Sequence, residues 1–261
     1  MVGLQRGITA VLLGIVTSTS LFATIIGAPQ TEFRQVYALN PYGHVVVQNL
    51  YGDVRITAWD RDEVLVQAIK KSRDPRRLDD AHIVVDSSSE LVSIRTQYAG
   101  SDAEHPASVE YRIMVPRSAN LENVRLINGG LSLNGLAGPV KASSVNGSIK
   151  AENLQGQAEL STVNGQLEAG FTRVSRENPI SLTSVNGPIR ISLPAGAGPG
   201  LDARNLSGGI ESDVGQAFRS ASGHRLHTTA RRGGPAVHLH NVNGGILIRS
   251  ILSRRGERPC S

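Results

Sequence analysis

Hydrophobic and polar residues follow two different patterns along the chain, one on each side of residue 120. Over 37–120, apolar residues recur at every second position, as in Val45 and Val47 or in Val54 and Ile56. A period of two is typical of β-strands that pack one face on a core and expose the other to water. We predict a run of strands here and expect them to pair as antiparallel neighbours.

Two stretches interrupt this alternation. Residues 74–81 read Asp-Pro-Arg-Arg-Leu-Asp-Asp-Ala, which predicts one short helix with Asp74 as N-cap and Pro75 in its first turn. The polar stretch 101–106 predicts a loop. The remainder of this segment is expected to consist of strands and tight turns.

After residue 120 the pattern becomes a repeat. The phrase Val-Asn-Gly recurs, with weaker copies, and its glycines at 129, 147, 165, 187 and 208 are 18, 18, 22 and 21 residues apart. The next step, from 208 to 244, is 36 residues and leaves room for two coils or for one with an insertion. Regular spacing near 20 residues is the signature of stacked structural repeats.

The flanks of the phrase recur with it, which predicts where each side chain points. Apolar residues follow each glycine after two and four positions, as Ile149 and Ala151 follow Gly147. The predicted inward set of two successive coils is Ile149, Ala151, Leu154, Ala158, Leu160 and Val163, then Leu167, Ala169, Phe171, Ile180, Leu182 and Val185. Aromatic residues make up only 4% of the chain, as a narrow core of small and branched side chains requires.

The expected fold is therefore all-β. We predict a right-handed parallel β-solenoid or β-roll over 121–252, onto which the strand-rich part over 37–120 packs, and an apolar helix at the N-terminus. The turn residues should stack from coil to coil, since Asn and Gly tolerate left-handed backbone angles. These structural turn positions are Asn128, Gly129, Asn146, Gly147, Asn164, Gly165, Asn186, Gly187, Asn243 and Gly244.

The first 28 residues predict export. The stretch 8–28 contains no charged residue and follows Arg6, as in a secretory signal. Its length of about 20 residues would also let it span a bilayer as a helix. We interpret 1–28 as a cleaved signal peptide or an uncleaved N-terminal membrane anchor, followed by a linker over 29–36. The protein would then be periplasmic, at the cell surface, or anchored in the cytoplasmic membrane.

Charge indicates the class of partner. The chain has a net charge of +5, and part of the excess lies in a basic tail over 253–261, which is expected to be disordered. A positive net charge of this kind favours binding to an anionic cell-wall polymer, a lipid or another envelope protein. Nucleic acid is disfavoured because no aromatic residues interleave with the basic ones. The single cysteine, Cys260, rules out a scaffold of internal disulfides.

Candidate chemistry is sparse. No nucleotide-binding, serine-hydrolase or metalloprotease motif occurs, and the solenoid part holds only Asp202 and Asp213 beside scattered glutamates. Glu152 and Glu168 are 16 residues apart, close to one coil, and could share a face. We predict no catalytic residue and no cofactor.

Histidines offer the only candidate metal ligands. His238 and His240 flank Leu239 in a predicted strand and would share one face, shortly after His224 and His227. Clustered imidazoles can bind a transition metal. Alternation with an apolar face is also what any solvent-exposed strand shows, so we predict no metal site and keep His238 and His240 as the alternative.

Several phrases together resemble one bacterial family. The segment 52–56, Gly-Asp-Val-Arg-Ile, is followed by Trp-Asp at 59–60, by Val-Pro at 115–116 and by the repeated Val-Asn-Gly-x-Ile. Over roughly 36–252 this combination resembles the bacterial “putative adhesin” family, a domain of unknown function that includes LiaG-like exported proteins. The resemblance implies a β-solenoid, export or membrane anchoring, and an adhesive role, and it transfers no catalytic residue.

Three functions remain open at this point. The first hypothesis is a non-enzymatic exported envelope protein that uses a β-solenoid surface for adhesion, binding or scaffolding. Alternatively, it is a solenoid enzyme acting on polysaccharide, which would need two carboxyl groups about 5–10 Å apart in a cleft. A third hypothesis is a membrane-anchored accessory to envelope-stress signalling. The scarcity of carboxylates favours the first.

Overall fold

The computed structural model describes residues 30–99, 106–214, 224–231 and 233–251. The predicted apolar helix over 1–28, nearly all of the predicted loop over 101–106 and the basic tail over 253–261 lie outside the described residues. Within the described ranges, no helix has the length and apolar character needed to cross a membrane.

The described chain forms two large sheets, so the all-β prediction is confirmed. The strands of the first sheet are β1 (Gln30–Ala38), β3 (Val54–Trp59), β4 (Glu63–Lys71), β7 (Ser108–Pro116), β9 (Leu131–Asn134), β11 (Ile149–Leu154), β13 (Leu167–Phe171), β15 (Ile189–Pro194), β17 (Ile210–Ser212) and β20 (Ile246–Ile251). Their spatial order is β1-β4-β7-β3-β9-β11-β13-β15-β20-β17.

The second sheet has the same number of strands. They are β2 (His44–Tyr51), β5 (Ala81–Ser87), β6 (Leu91–Tyr98), β8 (Asn120–Asn128), β10 (Val140–Asn146), β12 (Ala158–Asn164), β14 (Ile180–Asn186), β16 (Gly200–Ser207), β18 (Arg225–His227) and β19 (Ala236–Asn243). Their order is β18-β16-β19-β14-β12-β10-β8-β2-β6-β5.

Each coil of the repeat gives one strand to each sheet, with the Asn-Gly corner between them. β10 leads into β11 and β12 into β13, and equivalent strands pair in parallel, so that Ile149 faces Leu167 and Leu167 faces Ile189. The inward side chains of both sheets form one continuous core of Val, Ile, Leu and Ala. Parallel pairing with equivalent residues in register is the arrangement that a solenoid requires.

The solenoid begins earlier than residue 121. β2 pairs in parallel with β6 and β8, and β3 pairs in parallel with β7 and β9. The expectation of antiparallel neighbours over 37–120 is therefore wrong for these pairs, and holds only for β1 with β4, β4 with β7 and β5 with β6. This segment continues the two sheets instead of packing onto them. Alternation has a period of two in both kinds of strand, so the sequence pattern could not separate them.

The last coil of the chain is not the last coil of the stack. β19 lies between β14 and β16, and β20 lies between β15 and β17. Asn243 thereby stacks on Asn186, to whose Oδ1 it donates a hydrogen bond of 2.9 Å. The coil formed by β16 and β17, whose corner reads Leu206-Ser207 in place of Val-Asn, lies further out. Terminal repeats with atypical residues are common in solenoids.

The predicted helix over 74–81 is a single 3₁₀ turn over Pro75–Leu78. Asp74 caps it as expected, because its side chain accepts a hydrogen bond of 3.0 Å from the backbone N–H of Arg76. Leu78 is buried at the end of the core, and Ala81 already begins β5.

Two members of the predicted inward set point outward. Val163 is 39% exposed, whereas Thr162 before it is 2% exposed. Alternation from Ala158 and Leu160 continues unbroken to Thr162, whose hydroxyl donates a hydrogen bond of 2.9 Å to the carbonyl of Gly147 in the preceding coil. Val185 lies outward in the same way, because Ser184 is fully buried. A small hydroxyl side chain satisfies a half-buried corner carbonyl, which valine cannot do.

Candidate binding surface

An aliphatic column runs along the outer face of the second sheet. It arises because the aliphatic residue of each corner phrase follows a buried residue on the same strand and must therefore point to solvent. The strand registers align these residues across seven neighbouring strands. The members of this aliphatic column are Leu50, Ile127, Val145, Val163, Val185, Val242 and Leu206. Ile127 is 45% exposed and Leu206 is 72% exposed.

A second column lies beside it, two residues earlier on each strand. We call it the donor column, because every member can donate a hydrogen bond and none is a carboxylate. Its members, in register, are Arg95, Gln48, Arg125, Ser143, Ser161, Thr183, His240, Arg204 and Arg225. Basic residues lie towards its two ends and hydroxyl groups in its middle.

Asparagines form a third column at the corner itself. The side-chain Nδ2 of Asn146 donates to Oδ1 of Asn128 at 2.9 Å, and Asn164 donates in turn to Asn146 at 2.8 Å. Asn186 and Asn243 extend this ladder, each at 2.9 Å. Because each of these amides bonds to the amides above and below it, the predicted turn asparagines hold neighbouring coils together.

The corner glycines are required by close backbone contact. A Cβ atom on Gly147 would overlap the carbonyl oxygen of Gly129, and one on Gly165 would overlap that of Gly147. Gly165 also has a φ of 153°. The corners of successive coils can therefore stack at β-sheet spacing only without a side chain at this position.

The histidines lie on the same outer face, and a carboxylate lies between two of them. Asp202 on β16 is in register with His238 on β19 and with His227 on β18. This neighbour is not apparent in the sequence, because Asp202 approaches His238 only through the placement of β19 beside β16. His240 faces Arg204, not a carboxylate.

Arginines are the partners that surround Asp202. Both of its carboxylate oxygens accept hydrogen bonds from Arg204, at 3.3 and 3.1 Å. This bonding, together with the charges of Arg204, Arg225 and His227, lowers the pKa of Asp202. Within the described ranges, no group of three or more His, Cys, Asp or Glu side chains is arranged to hold a metal ion.

The acidic pair Glu152 and Glu168 lies on the first sheet, where both residues border a shallow recess beside Phe171. The two glutamates are not in register, since Glu168 faces Lys150. Nζ of Lys150 lies 2.9 Å from a carboxylate oxygen of Glu152, and this contact raises the pKa of Lys150. The arrangement is that of an exposed ion-pair network on a sheet surface.

Residues 118–249 match the family model described as Toastrack DUF4097. The chain belongs to the Toastrack DUF4097 family. The matched range of this Toastrack chain contains the corner phrases and the aliphatic column from Ile127 to Val242. The resemblance to an adhesin-like family of unknown function is thereby confirmed. No curated protein matches the sequence.

Three solved bacterial structures align with most of the chain. A “putative cell adhesion protein” from Clostridium sporogenes ATCC 15579 aligns with a TM-score of 0.50 at 10% identity, over 85% of this chain and 100% of that chain. A “putative adhesin” from Bacteroides fragilis NCTC 9343 has a TM-score of 0.37 at 11% identity, covering 85% and 97%. A “putative lipid binding protein” from Parabacteroides distasonis ATCC 8503 has a TM-score of 0.27 at 9% identity, covering 84% and 96%. At such identities the likeness of the first structure concerns the fold alone.

Proposed function

We propose that this Toastrack protein is a non-enzymatic, exported envelope protein that binds an extended anionic polymer of the cell envelope. The observation that carries the proposal is the pair of columns on the outer face of the second sheet. A column of hydrogen-bond donors without a carboxylate runs beside a column of exposed aliphatic side chains, in register from one strand to the next.

The geometry of the columns favours an elongated ligand. Equivalent groups recur at each strand, about 4.8 Å apart, so seven strands span roughly 30 Å along the solenoid. A small molecule would contact only one or two members of each column. A polymer lying across the strands would meet the same pair of groups, one donor and one aliphatic side chain, at every step.

The charge of the columns favours an anion. Arg125, Arg204 and Arg225 belong to the donor column, whose middle offers only the hydroxyls of Ser143, Ser161 and Thr183 and the imidazole of His240. Arg204 and Arg225 share the single carboxylate of Asp202. The net charge of the whole chain, +5, adds a general attraction to polyanions that salt would screen.

Sedimentation with purified cell-wall fragments tests the proposal. The full chain should pellet with fragments that retain their anionic polymer at low salt, and less at high salt. Arg125→Glu should weaken this binding several-fold, because it places a carboxylate in the donor column. Arg55→Glu is the matched control, since Arg55 is an equally exposed arginine on the outer face of the first sheet.

Three results would contradict the proposal. Equal losses with Arg125→Glu and Arg55→Glu would show that only net charge matters. Stronger binding to anionic lipid vesicles than to wall fragments would indicate a membrane surface instead. Release of reducing sugar from wall polysaccharide that disappears in Glu152→Gln or Glu168→Gln would show that the protein is an enzyme.

A further inference from the structure

The two ends of the solenoid differ in how their sheet edges are exposed. At the C-terminal end, the outermost strands β17 and β18 have three residues each. At the N-terminal end, the first sheet ends in β1, with nine residues, and the second in β5, with seven. Long edge strands carry unpaired backbone groups that invite pairing with another chain.

β1 is the outermost strand at the N-terminal end. Beyond the first coil, formed by β2 and β3, the first sheet adds three strands and the second adds two. Among the described residues, β1 pairs only with β4, in a register without a bulge from Gln30 to Ala38. The strand contains no proline, no lysine and no bulge, and its two charged residues, Glu32 and Arg34, have opposite signs.

The alternation of the β1–β4 ladder shows which backbone groups are free. Leu39 donates its N–H to the carbonyl of Asp62 at 3.3 Å, and this pair continues the register in which Ala38 faces Glu63. Hydrogen-bonded pairs alternate along an antiparallel ladder. The residues whose N–H and C=O groups point to the free edge are therefore Gln30, Glu32, Arg34, Val36 and Ala38.

We infer that β1 pairs antiparallel with β1 of a second copy of this chain, about a two-fold axis through Phe33. In this register Glu32 lies directly opposite Arg34 of the second copy, twice by symmetry, and the two residues exchange backbone hydrogen bonds. The inference concerns self-association and is independent of any ligand on the second sheet.

Charge selects this register among the possible ones. A two-fold axis at Arg34 would place two arginines opposite each other, and one at Glu32 would place two glutamates opposite each other. Like charges on directly opposed residues destabilise a sheet, whereas unlike charges stabilise it. On the inner face, the same register brings the half-buried Phe33 of each copy together at the axis, where aromatic pairs are favoured.

The product is a head-to-head dimer in which the first sheet continues through both molecules. In an isologous contact of this kind, the edge of each β1 is occupied by β1 of the other copy, so that no third copy can pair there. It leaves the aliphatic and donor columns of both copies accessible, because these lie on the outer face of the second sheet.

Analytical ultracentrifugation of the full chain in a mild detergent tests the inference. The unmodified protein should sediment as a dimer. Arg34→Pro should sediment as a monomer and melt at the temperature that the unmodified protein shows when diluted to the monomer, because it removes an N–H that points to the free edge and bonds to nothing within the described part of the chain. Gln35→Pro is the contrasting variant, since it removes an N–H that bonds to β4 and should lower the melting temperature.

Charge reversal tests the register. Glu32→Arg and Arg34→Glu alone should each weaken the dimer by about tenfold, a change of roughly 1.4 kcal/mol. The double variant should restore the dimer, because it exchanges the two charges across the axis. A monomer at all concentrations, a dimer that persists in Arg34→Pro, or a double variant no better than the single ones would each overturn the inference.

Discussion

The coils from β10 to β15 have a serine or threonine at each inward corner position, whereas the N-terminal end has Asn49 there. In the repeat, the hydroxyl of Ser184 bonds within its own corner, to the carbonyl of Gly187 at 3.1 Å. In the two coils before it, the inward hydroxyl bonds to the corner carbonyl of the preceding coil, Ser144 to Gly129 at 3.2 Å and Thr162 to Gly147 at 2.9 Å. Each such contact is one bond between neighbouring coils.

At the N-terminal end a buried network replaces this single bond. Asn49 occupies the inward corner position of β2, and its Nδ2 donates to the carbonyls of Gly52 at 2.9 Å and Val109 at 2.8 Å. Its Oδ1 accepts from the hydroxyl of Thr96, which also bonds to the hydroxyl of Tyr111 at 2.8 Å. The network joins β2, β6 and β7 across both sheets. The repeat therefore relies on many equivalent contacts, and the end relies on one set of unique ones.

A charge in the repeat core should have the largest effect. Ile149, Leu167 and Ile189 stack in one column and are each at most 1% exposed. Replacing any of them by Asp should cost about 4 kcal/mol or more, close to the whole net stability of many domains, because an unpaired carboxylate enters an apolar interior. Loss of the cooperative thermal transition would show this.

The outward neighbours are the matched controls for these variants. Lys150, Glu168 and Arg190 follow the three core residues directly and face solvent. Their replacement by Ala should change stability by less than about 0.5 kcal/mol. Equal effects in both sets would contradict the register of the repeat.

A methyl group at a repeat corner should have the next largest effect. Gly147→Ala would drive a Cβ atom into the carbonyl of Gly129 and should cost about 2–3 kcal/mol, since backbone atoms cannot move aside without separating two coils. Gly209→Ala is the control, because a Cβ atom there has nothing within 4 Å. Urea titrations of the two variants would measure the difference. If Gly147→Ala were as stable as Gly209→Ala, corner stacking would not limit the repeat.

Much of this regular region could be predicted from the sequence, and the reason is physical. Each coil must return to the same cross-section, so the residues that touch the core recur at a fixed spacing, as Ile149, Leu167 and Ile189 do. The error at Val163 came from ranking hydrophobicity above alternation. Strand geometry puts Thr162 inside, and its hydroxyl meets a carbonyl that the sequence could not show.

The ends were harder to predict, because their contacts join residues far apart in the chain. Nothing in the sequence places Thr96 beside Tyr111, or brings Asp202 next to His238 through the insertion of β19 into the stack. The donor column was missed for a related reason. Its members are ordinary surface residues one by one, and only the strand registers align them.

An isosteric exchange at the corner should separate the inward role of Thr162 from the outward role of Val163. Thr162→Val keeps the shape of the side chain but leaves the half-buried carbonyl of Gly147 without its hydroxyl partner, which should cost about 1 kcal/mol. Val163→Thr makes the opposite exchange on the exposed neighbour and should be close to neutral. Thermal melts would compare them. A larger loss in Val163→Thr would restore the prediction that Val163 points inward.

The smallest effect at neutral pH is expected at the N-terminal end, and there the effect on stability changes with pH. Burial raises the pKa of Tyr111 from 10.0 to about 12, because the phenolate is poorly solvated in the core. The folded protein thus keeps a proton that the unfolded chain releases near pH 10. The resulting stability is fully present below pH 10 and is lost as pH rises towards 12, by roughly 3 kcal/mol.

Tyr111→Phe should therefore change the stability of the protein above pH 10 more than its stability at neutral pH. At neutral pH the variant loses only the hydroxyl bond to Thr96, about 1 kcal/mol. Between pH 10 and 12 its melting temperature should fall less steeply than that of the unmodified protein. Part of the slope should remain, because burial also raises the pKa of Tyr98. Tyr42→Phe is the control, since Tyr42 is 79% exposed and should leave the curve unchanged. If the curves of melting temperature against pH were parallel for Tyr111→Phe and the unmodified protein, burial of the neutral phenol of Tyr111 would not stabilise the N-terminal end.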